Sequence, residues 1–178
     1  MLRTRYLLTF AFALAFVLTA PAQASLKPGD TAPVFKAQAS LGGKVFSFDL
    51  AQALKNGPVV LYFYPAAFTK GCTIEAHDFA DAIADYHKLH ATVIGVSHDT
   101  IDTLNRFSVS ECRSKFAVAA DPALTVARAY DSILSRNPQY ADRTSYVIGR
   151  DGKIAYAFTD LNPDKHVANT LAALKALP

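Results

Sequence analysis

Val59-Val60-Leu61-Tyr62-Phe63-Tyr64-Pro65-Ala66-Ala67-Phe68-Thr69-Lys70-Gly71-Cys72-Thr73-Ile74-Glu75 decides how this chain is read. Its opening run of β-branched and aromatic residues predicts a buried strand. Pro65 stops that strand, and Gly71 marks a tight place before the next element. From Cys72 onward, apolar residues fall at Ile74, Ala76, Phe79, Ala82, Ile83 and Tyr86, which is helical spacing. Cys72 is therefore expected where a strand passes through a short loop into a helix N-terminus.

That placement has a chemical consequence. The first helical turn presents free N–H groups and the positive end of the macrodipole. A thiol there is pushed toward thiolate, the nucleophilic form. Thr69, three residues back, can set a hydroxyl beside the sulfur. Pro65 can wall the pocket while offering no N–H of its own. The plainer alternative is that Cys72 is a small buried hydrophobe.

Pro65-x-x-x-Thr69-x-x-Cys72 after an aromatic strand resembles the active-site signature of the peroxiredoxins. The wider string, from Tyr62 to Glu75, is most similar to the Q-type, or bacterioferritin-comigratory, branch. The resemblance runs from about Lys27 to the C-terminus. It implies a thioredoxin-like fold and a thiol-dependent peroxidase acting on hydrogen peroxide and organic hydroperoxides, with Cys72 passing through a sulfenic acid. Arg143-Thr144-Ser145-Tyr146-Val147-Ile148 resembles the family segment that carries the active-site arginine just before a strand, so Arg143 is expected beside Cys72. A guanidinium is always charged and rich in donors, which suits it to a thiolate and a peroxide oxygen. Arg150 is the rival cation, but it falls at a hairpin tip. Glu75, one turn into the helix, either holds that arginine or is a plain acid favoured by the helix dipole.

The chain departs from many Q-type members in one respect. Where they carry a resolving cysteine, five residues after the peroxidatic one, this chain has His77. Cys112 is the other thiol, and the branch also places resolving cysteines on the helix before the third strand. The resemblance thus implies an intramolecular Cys72–Cys112 disulfide. It requires movement, since bridged cysteines hold their Cα atoms within about 7 Å. The alternative is a one-cysteine peroxidase resolved by an external thiol.

Outward from this stretch, residues 1–24 read as a cleaved signal peptide. Arg3 and Arg5 form a positive start, Leu7 to Ala20 is apolar but short for a bilayer span, and Ala22-Gln23-Ala24 is a small-residue cleavage site. Residues 25–178 then form a single domain, large enough for a core without staples. Without Arg3 and Arg5 the chain has 16 basic and 15 acidic residues, a balance that argues against nucleic-acid binding. Export makes a disulfide permissible.

Val34–Ala39 and Lys44–Asp49, around Gly42-Gly43, read as a hairpin, and Ala51–Leu54 as a helical turn. After the Cys72 helix come a strand at Thr92–Ser97, a helix from Ile101 to about Val109 capped by Asp99 or Thr100, and a strand at Phe116–Ala120. A short helix, Leu124–Tyr130, is expected to begin at Asp121-Pro122. Thr144–Ile148 and Ile154–Phe158 form a second hairpin, and Pro163–Leu177 a closing amphipathic helix with Val167, Leu171 and Leu174 on one face. The fold class is α/β: a thioredoxin-like central mixed sheet flanked by helices, with an N-terminal β-hairpin.

His77, His87, His90, His98 and His166 are scattered, and no acidic or cysteine partners complete a metal set beside them. They are read as solvated helix-face residues, with His77 able to turn back toward the pocket. No metal or cofactor is expected. The partners expected are a peroxide substrate and a thioredoxin-like or other thiol reductant on the exported, periplasmic side; no nucleic acid, no membrane after signal cleavage, and a monomer. The competing functions are a non-peroxidatic exported thioredoxin-fold redox or binding protein, against which the missing Cys-x-x-Cys argues, and a protein in which Cys72–Cys112 is a permanent staple.

Overall fold

The computed structural model describes residues 25–178; the expected signal peptide, 1–24, lies outside the described residues. At its centre is Val59–Phe63 (β3), every residue of which is buried. Alternate side chains leave a strand on opposite faces. Val59, Leu61 and Phe63 accordingly enter one core cluster, while Val60, Tyr62 and the following Tyr64 enter another. A run that is apolar on both faces needs cover on both, and helices supply it.

The elements in chain order are β1 Lys36–Leu41, β2 Lys44–Asp49, α1 Leu50–Asn56, β3, α2 Lys70–Lys88, β4 Thr92–Ser97, α3 Ile101–Ser110, β5 Ala117–Ala120, α4 Thr125–Ala129, β6 Thr144–Ile148, β7 Ile154–Thr159 and α5 His166–Lys175. One seven-stranded sheet runs β2-β1-β5-β4-β3-β6-β7. β3, β4 and β5 are parallel neighbours, and the other pairings are antiparallel. This is the expected mixed sheet, with the N-terminal hairpin paired onto β5 through Ala39 and Ala119. Gly95 on β4 is required for packing: a Cβ there would stand 2.6 Å from the ring of Tyr62.

Three expectations shift. β1 begins at Lys36, where pairing with Asp49 begins, and Val34 is exposed. Pro122 does not open α4. Leu124 turns left-handed at φ 55°, and the Asp121 carboxylate caps the helix by accepting from Thr125 N and Ala127 N. The closing helix is split into a 3-10 turn, Pro163–Lys165, which Asn162 caps by accepting from Asp164 N, and α5. Leu174 is buried, and Val167 and Leu171 pack against the same cluster, as the periodicity predicts.

Candidate active site

β3 ends at the loop Tyr64–Phe68, and α2 follows. The loop is held from β4. The His98 Nδ1–H donates to Pro65 O at 2.8 Å, which fixes the protonated ring nitrogen because a carbonyl only accepts. Asp99 Oδ2 accepts from Ala67 N at 2.7 Å and from Ser97 Oγ at 2.8 Å. Phe68 makes the last turn at φ 64°, with its ring edge-on to Phe107. Thr69 is the N-cap of α2, which puts Cys72 in the first turn.

Cys72 is a free thiol, 2% exposed. Arg143, 4% exposed, reaches it from the residue before β6: its Nη2–H donates to Cys72 Sγ at 3.4 Å. The rest of the guanidinium is committed. Nη1 donates to Glu75 Oε2, and Nε donates to Leu161 O at 2.9 Å. The approach depends on Gly71, where a Cβ would lie 3.0 Å from Arg143 Nη2. Glu75 is wholly buried, and burial, against the opposing pull of Arg143, pushes its carboxyl up to about 8.

The structure therefore brings Cys72, Arg143 and Glu75 together, and Pro65 lies on the loop that precedes α2. Thr69 is close in sequence, but its hydroxyl donates to Ala66 O at 2.9 Å instead of bonding the sulfur. Arg150 is exposed and donates to Lys55 O, far from the sulfur in the fold.

Cys112 is a free, fully buried thiol in the turn after α3, not on the helix. Burial raises its thiol well above the ordinary range, and Glu111 adds to this. The turn is strapped to α2. His77 Nε2 lies 2.9 Å from Glu111 Oε2, Arg113 pairs with Asp81, and Lys115 Nζ donates to Ala80 O at 3.1 Å. His77 thus faces Glu111 and not the pocket.

Two further histidine expectations fail. His90 lies past the end of α2 at φ 54°, so it is not a helix-face residue. His166 is fully buried, with Nδ1 2.8 Å from Ser145 Oγ and Nε2 2.9 Å from Asp160 O. His98, Asp99 and His166 support the site in roles that the sequence does not assign them. A cavity of about 960 Å³ opens elsewhere, between Gly57, His90, Arg150 and Leu177, and no candidate site residue lines it.

A first-turn cysteine under a buried guanidinium, on a mixed sheet of this order, defines a thiol-redox class of protein. Comparison with known proteins narrows it. The AhpC/TSA family model matches residues 28–157. A Mycobacterium tuberculosis protein assigned to the peroxiredoxins is 34% identical over 148 residues, covering 80% of this chain and 91% of its own length. Chloroplastic peroxiredoxin Q of Triticum aestivum is 33% identical over 124 residues, 69% of this chain and 57% of its own. Among solved structures, peroxidoxin BcpB from Mycobacterium tuberculosis superposes with TM-score 0.77 at 30% identity, covering 86% of this chain and 99% of that one. Enterococcus faecalis AhpC, at 20% identity and TM-score 0.75 over 84% and 90%, shares the fold. The chain belongs to the AhpC/TSA family and is a peroxiredoxin, a peroxidase of the oxidoreductase class.

Proposed function

We propose that Cys72 is the peroxidatic cysteine, reducing hydrogen peroxide and organic hydroperoxides, and that Cys112 resolves it. The carrying observation is the Arg143 guanidinium, shared between Cys72 Sγ and Glu75 Oε2. The Cys72 thiolate attacks one peroxide oxygen. An S–O bond forms as the O–O bond breaks, sulfur is oxidised to the sulfenic acid, and the departing oxygen takes a proton and leaves as water or alcohol. Arg143 and the free N–H groups of the α2 first turn face the charge that develops. Thr69 joins them once its hydroxyl leaves Ala66 O, and Pro65 shields the sulfur.

The Cys112 sulfur then attacks the sulfenic sulfur, the S–S bond forms and water departs. A thioredoxin-like dithiol reductant returns both cysteines to thiols. Residues 1–24 read as a signal peptide, so that reductant acts on the exported, periplasmic side. Among the described residues, no helix is long and apolar enough to cross a membrane. One observation favours the one-cysteine alternative: Cys112 is fully buried and strapped to α2.

Cys72→Ser is expected to consume no peroxide, and consumption equal to wild type refutes the assignment. Cys112→Ser is expected to complete one turnover and accumulate sulfenic or sulfinic acid at Cys72. Normal cycling of that variant with a small external thiol establishes the one-cysteine alternative.

A further inference from the structure

Pro65 interrupts the sheet at the point where the chain must turn toward α2. β3 pairs with β4 as far as Phe63, and Tyr64 N still donates to Val96 O at 3.1 Å. Pro65 has no N–H with which to continue the ladder. The backbone groups beyond it need other partners, and two side chains just past the end of β4 supply them. His98 Nδ1–H donates to Pro65 O at 2.8 Å, and Asp99 Oδ2 accepts from Ala67 N at 2.7 Å.

The Ala66–Ala67 peptide is thereby gripped at both ends. Its N–H is the one bound by Asp99, and its carbonyl, Ala66 O, accepts from the Thr69 hydroxyl at 2.9 Å. Thr69 makes no side-chain cap to α2, so this carbonyl is what fixes its hydroxyl. A peptide unit is planar, and its N–H and C=O turn together. An acceptor that pins the N–H therefore also aims the carbonyl, and the carbonyl sets where the hydroxyl lies. A carboxylate does this firmly, since a bond to an ionised acceptor is about twice as strong as a neutral one, and hydrogen bonds in series polarise one another. The carboxylate is itself anchored: the same oxygen accepts from the buried Ser97 Oγ at 2.8 Å. Phe68, between Ala67 and Thr69, stands at φ 64°, a backbone conformation that a bulky residue keeps only where its surroundings impose it. Asp99 restrains it from one side, and the Phe107 ring, edge-on at 5.2 Å, from the other.

We propose that Asp99 is a positioning residue for Thr69: through the Ala66–Ala67 peptide it fixes the place from which the Thr69 hydroxyl turns to the peroxide. Its side chain bonds Ala67 and Ser97, not Cys72 or Arg143, so it acts on the site at one remove. The inference rests on Thr69 serving the peroxide step at Cys72, the reading given above.

The test compares two reactions of Cys72 in a Cys112→Ser background, which leaves one thiol. Single-turnover reaction with hydrogen peroxide calls on Thr69; alkylation by iodoacetamide calls only on the sulfur. Thr69→Val is expected to slow the peroxide step about 10²-fold. Asp99→Ala is expected to slow it about tenfold, to leave alkylation within about twofold, and to cost nothing further when Thr69→Val is already present. An equal loss with and without Thr69→Val, or alkylation falling in step with the peroxide rate, overturns the proposal, because Asp99 would then merely prop the loop. An undiminished peroxide rate overturns it too. Should Asp99→Ala not fold, the near-isosteric Asp99→Asn decides: a neutral acceptor is expected to cost about threefold in the Thr69 chain and nothing in the Thr69→Val chain, and any other pattern overturns the proposal. A Thr69→Val chain that reduces peroxide at full rate removes Thr69 from the peroxide step and this inference with it. A slow Thr69→Val beside an undiminished Asp99→Ala sinks this inference alone.

Discussion

His77 Nε2 stands 2.9 Å from Glu111 Oε2, joining the helix that carries Cys72 to the residue before Cys112. Resolution by Cys112 requires that link to part, together with the Arg113–Asp81 pair. Both are partly exposed, and such pairs contribute about 0.2–1 kcal/mol each. Glu111→Gln is therefore expected to speed disulfide formation about two- to fivefold while leaving the first peroxide step unchanged. Rapid quench followed by mass spectrometry of the two thiols measures this, and an unchanged or slower rate argues that the strap does not gate the step.

Arg143 serves Cys72, Glu75 and Leu161 O at once, through three different nitrogens. Arg143→Met is expected to lower the peroxide reaction about 10²–10³-fold, the loss that follows removal of one donor aimed at developing charge. Arg143→Lys keeps the charge but lacks the planar fork, so it should recover only part of that loss. Single-turnover kinetics make the comparison. Full activity in the lysine variant would show that charge alone suffices.

Gly71 offers a case in which stability and activity should move in opposite directions. Alanine in the first turn of α2 favours the helix by about 0.5–1 kcal/mol, yet its Cβ would lie 3.0 Å from Arg143 Nη2. Gly71→Ala is expected to melt at the same or a higher temperature and to react with peroxide about tenfold more slowly, through a displaced guanidinium. Unaltered kinetics would show that the arginine adjusts without loss.

Glu75 should leave its mark on the pH dependence of folding. Its carboxyl stands at about 8 in the folded chain, against an ordinary 4.5. The folded state therefore keeps a proton that the unfolded chain releases, so this contribution is full below about 4.5 and is lost as pH rises toward about 8. His166 works on the other side: burial holds it below its ordinary 6.5, so stability falls as pH drops beneath that value and the unfolded chain takes up the proton. Between pH 5 and 8 the wild type should lose stability relative to Glu75→Gln, as followed by thermal melts. Parallel curves would contradict the raised carboxyl.

Much of this layout is legible in the chain because local rules dictate it. β3 is a continuous apolar run, Pro65 ends it, and the spacing after Cys72 admits only a helix; both hairpins follow from their glycines. What could not be read depends on distant partners. The docking of the N-terminal hairpin on β5 is set by pairing across the sheet, not by any local signal. His166 was missed because the buried face of α5 is His166, Thr170 and Leu174, spaced i, i+4 and i+8, and two of those three are polar. A search for apolar periodicity passes over such a stripe. Asp99 read as a helix cap, but Thr100 holds that post and Asp99 faces the loop instead.

The antiparallel register of β3 with β6 sets Phe63 opposite Thr144, and so delivers the residue before Thr144 to the helix that follows Phe63. A slip of one position would turn every β6 side chain to the wrong face. Under the proposed function, the reactivity of this sulfur is thus a report on completed folding: a nascent or partly denatured chain would carry a commonplace thiol, and an oxidant-sensitive one would come into being only when the last strands close.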